Sequence, residues 1–173
     1  MKIECIKVGD FQTNCYILNK NGKKIIIDPG AEFLKIDQYI NNDLVAILIT
    51  HNHFDHVGAL ESLKEKYHVP VYKYDNLKDY LEIADFKFKT IHNPGHTIDL
   101  VGYLIDNHLF GGDFIFKNTI GRTDLPTGNN KDMKKSIENI LKYPDDLIIY
   151  PGHDDITTLK DERINLENIL KYL

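Results

Sequence analysis

The 173 residues carry 26 acidic and 21 basic side chains, a net charge of −5, with 42% hydrophobic and 27% charged residues. That size and balance suit one domain, residues 1–173, with a sizeable core. No basic run suits a phosphate backbone, no apolar run reaches bilayer-spanning length, and the N-terminal MKIECIKVGD lacks an apolar signal core; nucleic acid and membrane are set aside as partners and a cytoplasmic location is expected.

Cys5 and Cys15 form no CxxC and no disulfide framework, and both read as small buried apolar residues in a reducing compartment. Lys2 to Val8 alternates polar and apolar residues, a strand pattern. Cys15 to Leu18 is a second strand, and the turn signal Asn19-Lys20-Asn21-Gly22 returns the chain as a hairpin over Lys23 to Asp28. Residues 32–41 place Phe33, Ile36 and Ile40 on one helical face. Leu44 to Thr50 is a near-continuous apolar run, expected as a strand buried on both faces. A helix is predicted from Val57 to Tyr67, a short strand over Val69 to Tyr72 and a short helix over 76–83. Phe86 to Ile91 is a strand, and Leu100 to Ile105 with His108 to Phe110 a hairpin that Phe114 to Phe116 extends. Residues 117–130 read as an ordered loop, Lys131 to Lys142 as a helix, Asp146 to Tyr150 as a strand and 158–172 as a last helix.

Chemistry concentrates where apolar strands end. Thr50-His51-Asn52-His53-Phe54-Asp55-His56 places three histidines and an aspartate within six residues. In extended backbone, side chains two apart point the same way, so His51 and His53 can grip one ion together. Asp55 and His56 can join them or serve a second ion. His96 and His153 each follow Pro-Gly, just past a forced turn, and Asp113 follows Gly111-Gly112. His51, His53, Asp55, His56, His96, Asp113 and His153 are too many ligands for one tetrahedral site; they suit two ions with a bridging carboxylate. Asp28, at the strand-stopping Asp28-Pro29-Gly30, is either a turn residue or a group that holds a ligand histidine by its free N–H.

The sequence resembles the metallo-β-lactamase fold superfamily through Thr50-His51-x-His53-x-Asp55-His56, Pro94-Gly95-His96-Thr97, Gly112-Asp113 and Pro151-Gly152-His153. Asn14-Cys15-Tyr16, Asp28-Pro29-Gly30 and Gly121-Arg122-Thr123-Asp124-Leu125-Pro126 are similar to the short, single-domain glyoxalase II-like hydrolases. Flavodiiron relatives usually carry an acidic residue where His53 stands, which disfavours that branch.

The resemblance implies an α+β fold, a four-layer αββα sandwich of two mixed sheets with helices outside and the site at one edge. It assigns His51, His53 and His96 to one metal, Asp55, His56 and His153 to the other, and Asp113 to both. It implies two divalent ions, zinc foremost with iron or manganese compatible, and a metal-bound hydroxide that attacks a small acyl thioester such as S-lactoylglutathione. Asp55 and Asp113 are then the catalytic carboxylates. Arg122 lies where longer relatives meet the substrate, although a local pair with Asp124 fits equally. Tyr16 and Phe54 are candidate pocket walls.

Two departures stand out. Many relatives continue Pro-Gly-His-Thr with Pro-Gly, where this chain has Ile98-Asp99-Leu100, adding a carboxylate beside His96. The helical C-terminal domain with which larger relatives grip glutathione is not in the sequence, which leaves the thiol carrier open. The alternatives are a persulfide dioxygenase with one iron on His51, His96 and Asp113, and a lactone or β-lactam hydrolase of the same fold.

Overall fold

The computed structural model describes residues 1–173. The first half builds a mixed sheet in the order β1 (Lys2–Val8), β2 (Thr13–Lys20), β3 (Lys23–Ile27), β4 (Leu44–Leu48), β5 (Val71–Tyr72). Between its strands lie the helices α1 (Phe33–Asp37), α2 (Phe54–Val57) and α3 (Leu60–Tyr67). The second half contributes β6 (Tyr80–Ile83), β7 (Phe86–His92), β8 (Val101–Ile105), β9 (His108–Gly112), a small hairpin of β10 (Ile115–Phe116) and β11 (Thr119–Ile120), α4 (Asn130–Ile140), β12 (Ile148–Pro151), β13 (Thr157–Thr158) and α5 (Leu159–Ile169). Its sheet runs β13-β12-β9-β8-β7-β6.

Strand alternation makes the layers. Along β2 and β3, Tyr16, Leu18, Ile25 and Ile27 face the other sheet, where they meet Phe88, Val101, Tyr103, Phe110 and Tyr150. The intervening Cys15, Ile17 and Ile26 face outward onto Ile36 of α1 and Leu63 of α3. On the far side, Leu109 and Ile149 pack under Met133 and Ile137 of α4 and Leu166 of α5. The result is the expected αββα sandwich. Each fully buried Ile, Leu or Phe in these three cores contributes about 1.5–3 kcal/mol.

Four local expectations change. Phe114–Phe116 does not extend β9: Ile115–Phe116 pairs with Thr119–Ile120, inside the stretch read as loop, in a hairpin of its own. Residues 76–83 are no helix: a short 3-10 turn at Tyr74–Asn76 is followed by β6, paired with β7. Leu77, Tyr80 and Leu81 have helical spacing, but burial of Leu81 and Ile83 in the inter-sheet core selects alternation and leaves Tyr80 exposed. The helix expected over 57–67 is two, broken at Gly58-Ala59, where Ala59 N–H donates to Pro29 O at 2.9 Å. Cys15 is buried as expected, whereas Cys5 is exposed, because it sits on edge strand β1 facing away from Ile6 and its core. No helix is long and apolar enough to cross a membrane.

Candidate metal centre

Four loops leave the same edge of the sandwich. The segment after β4 carries His51, His53, Asp55 and His56, and the turn after β7 carries His96. Asp113 follows β9, and His153 follows its parallel neighbour β12. The two sheets are tied at this edge, since Val101 N–H donates to Thr50 O at 2.9 Å. A shift in register at Tyr150/Pro151 sets Pro151 opposite Gly112, and Gly152 N–H donates to Gly112 O at 2.9 Å. Gly152 packs so close to Asp113 and His56 that a Cβ there would overlap the Asp113 carboxylate and come within 2.7 Å of the His56 ring. A glycine is required for the loop to pass.

His51, His53, His96 and Asp113 converge as one group of ligand atoms, and Asp55, His56 and His153 as a second. In the first, His53 Nδ1 lies 3.1 Å from His51 Nε2 and 3.0 Å from His96 Nε2. The outer nitrogens show which atoms carry protons. His96 Nδ1 meets Arg122 O at 2.7 Å, and a carbonyl only accepts. Thr50 Oγ1 donates to the Asp28 carboxylate (2.6 Å) and is left to accept from His51 Nδ1 (3.1 Å). Both Nε2 atoms therefore present bare lone pairs to one point, the donor set a cation needs.

The second group follows the same rule. His56 Nδ1 donates to Asp28 Oδ2 at 2.9 Å and His153 Nδ1 to Phe11 O at 3.1 Å, which turns both Nε2 atoms inward. Thr13 Oγ1 donates to Asp55 Oδ2 at 3.0 Å, and His153 Nε2 faces the same oxygen at 3.2 Å. Asp113 spans the groups: Oδ2 is 3.4 Å from His96 Nε2 and 3.5 Å from His153 Nε2, while Oδ1 is 3.3 Å from His56 Nε2. His56 Nε2 and Asp113 Oδ1 are buried, and neither has a hydrogen-bond partner. Such orphans are rare in folded proteins, and a shared cation would satisfy both. The residues fit a metal pair.

The two groups differ electrostatically. Burial, with the neighbouring His56, lowers His51 well below the usual imidazole range, and burial beside His96 lowers His53. Burial would lower His56 too, but the carboxylates of Asp28 and Asp113 raise it to about 10. His153 is raised against burial to about 9 by Asp113 and Asp55. Asp55, which burial alone would raise, is held at about 2 by His153 and His56. Without a cation, protons on His56 and His153 therefore balance the carboxylates at neutral pH. Metal binding must expel them, so apparent affinity rises with pH up to about 9–10. Adding zinc to metal-free protein in weak buffer at pH 7 is expected to release protons from both histidines; a titration with no proton release would contradict this charge balance.

Several side chains serve these ligands. Asp28, at a left-handed φ of 52°, accepts from Thr50 N (2.7 Å), Thr50 Oγ1 and His56 Nδ1. Arg122 reaches the first group through its carbonyl; its guanidinium grips Asp124 bidentately at 2.7 and 2.8 Å. Tyr16 is not a pocket wall: it is buried and donates to Pro151 O at 2.6 Å, fixing the turn before His153. Phe54 does line the cleft over the ligands, a cavity of about 1000 Å³. Sequence reasoning missed Thr13 and the Asn52–Asp99 contact. Asp99 Oδ2 accepts from Asn52 N at 3.1 Å and from Asn52 Nδ2 at 2.5 Å, tying the His51–His53 segment to the His96 loop. The only signal was the unusual carboxylate after His96-Thr97-Ile98.

The family model for the metallo-β-lactamase superfamily matches residues 8–83 and 78–153. The chain is 33% identical to the probable metallo-hydrolase YqgX of Bacillus subtilis, over 94% of this chain and 96% of that protein. It is 32% identical to the hydroxyacylglutathione hydrolase GloC of Haemophilus influenzae, over 94% and 95% of the two chains. Among solved structures it is similar to TTHA1623 in a di-iron-bound form, with a TM-score of 0.84 and 28% identity over 92% of this chain and 96% of that one. Family match, fold and converging ligand groups agree, and the chain belongs to the metallo-β-lactamase superfamily, among its metal-dependent hydrolases.

Proposed function

We propose that the chain hydrolyses small acyl thioesters with two divalent cations held in the two ligand groups. The observation that carries this reading is Asp113, with one oxygen toward His96 of the first group and the other toward His56 of the second. His51, His53 and His96 would hold one ion, Asp55, His56 and His153 the other, and Asp113 both. Bound there, the ions would supply Lewis acidity and lower the pKa of water from about 15.7 toward about 7.

The chain's own part is to orient. Thr13 fixes Asp55 Oδ2, and the carbonyls of Arg122 and Phe11 fix the tautomers of His96 and His153. The cleft walls bring the acyl carbon over the ligands. In the net reaction water adds to that carbon, the C–S bond breaks, and a carboxylic acid and a thiol leave. The hydroxyacylglutathione hydrolase of H. influenzae supports the thioester class. A one-iron dioxygenase would use only His51, His96 and Asp113 and leave Asp55, His56 and His153 without a metal to hold. Zinc remains the expected ion, and the di-iron form of TTHA1623 makes iron the one to test beside it.

Elemental analysis is expected to find about two metals per chain. The same sample should release free thiol from acyl thioesters. A single iron, with oxygen uptake on glutathione persulfide, would replace this reading with the dioxygenase. We further propose that the protein works in the cytoplasm on a small molecule, without a nucleic-acid or membrane partner.

A further inference from the structure

Large apolar side chains are exposed at the cleft. Phe11 is 61%, Phe54 69% and Ile98 58% exposed, and all three line it. The Phe11 and Phe54 rings meet edge to face at 5.4 Å, beside the carbonyl that holds His153. Apolar surface gathered at the mouth of a site is surface that a ligand covers.

The charges point the same way. Arg122, the one cation lining the cleft, is spent on Asp124. Lys73 pairs with Asp75 at 3.1 Å and Lys117 with Asp155 at 3.4 Å. Asp99 adds a carboxylate to the lining, and Asp75, paired with Lys73, adds no free cation. Apart from the metal ions and their ligands, an anionic carrier such as glutathione meets only lysine and arginine side chains that are already paired.

We infer that the preferred substrate is a thioester with an apolar acyl chain on an uncharged thiol. This rests on the thioester reading above and narrows its substrate. The acyl chain lies along Phe11, Phe54 and Ile98, and the uncharged thiol arm needs no cation from the rest of the lining.

Acetyl, hexanoyl and octanoyl esters of N-acetylcysteamine, compared with S-lactoylglutathione and S-octanoylglutathione on the metal-loaded protein, test it. Burial of a methylene is worth about fourfold, so kcat/KM should rise about two- to fourfold per methylene and favour the neutral carrier at equal chain length. Phe11→Ala and Ile98→Ala, both exposed positions, should each lower the octanoyl-to-acetyl ratio about fivefold to tenfold. Asp124→Asn, which frees Arg122, should raise the glutathione-to-cysteamine ratio severalfold. A flat chain-length profile, or a preference for S-lactoylglutathione, overturns the inference and leaves the thioester reading standing. No hydrolysis of any of the esters overturns both.

Discussion

Replacing Asp113 by Ala is expected to cut the proposed thioester hydrolysis by about 10³-fold or more and to leave fewer than two metals per chain. Loss of several kcal/mol of charge stabilisation amounts to that many decades at about 1.36 kcal/mol each. The direction follows from position. Asp113 is the carboxylate that faces histidines of both ligand groups, and Gly152 packs directly against it. Its carboxyl would rise with burial, but His153 and His56 hold it well below the usual range, so it is charged at any working pH. Metal content and rate measured together separate a lost ligand from a lost fold. Full activity with two metals retained would remove Asp113 from the bridging role.

Asp28→Ala is expected to destabilise the protein by about 3–5 kcal/mol, the usual result of removing one partner from a buried charged pair. Asp28 is 2% exposed and receives three donors, Thr50 N–H, Thr50 O–H and His56 Nδ1–H, all of which the alanine would strand. Its left-handed φ adds strain for alanine, which asparagine tolerates better. Asp28→Asn separates the roles. Its amide keeps an acceptor and suits the backbone, so less of the stability is lost. It no longer presents a charged acceptor to His56, and metal affinity should fall about 10–100-fold. Denaturant unfolding of the metal-free proteins and competition with a chelator read the two effects separately. A metal affinity in Asp28→Asn equal to the parent's would show that His56 needs no charged partner.

The two variants probe opposite sides of one chain of contacts. Thr50 hands the Asp28 carboxylate on to His51, while His56 takes it directly, so Asp28 touches a ligand of each group through at most one residue. The strand ends position the ligands, and this buried carboxylate decides how their rings are turned. The Asn52–Asp99 bond plays a similar part at the surface, where the exposure of Asn52 makes it weaker.

The sequence alone picked out the seven candidate ligands and most of the strands. His51, His53, Asp55, His56, His96, Asp113 and His153 stand at strand ends, and the Pro-Gly and Gly-Gly breaks that put two of the histidines and Asp113 there are local signals readable over a few residues. Alternation in Lys2–Val8 and the Asn21-Gly22 turn are equally local, and the family resemblance supplied the sandwich they build. Only the tertiary structure decided which ring nitrogen faces the metal site, because that depends on carbonyls and hydroxyls contributed from elsewhere: Arg122 O to His96, Phe11 O to His153. It also settled Asp28 between turn and support, moved Tyr16 from the cleft wall to the Pro151 carbonyl, and revealed Thr13 behind Asp55. Residues 80–83 went from helix to strand for the same reason, since the inter-sheet core overruled their local spacing. Periodicity and turn chemistry travel along the chain and can be read from it. A hydrogen bond between residues 42 or 135 positions apart has no period, and only the packed fold brings its partners together.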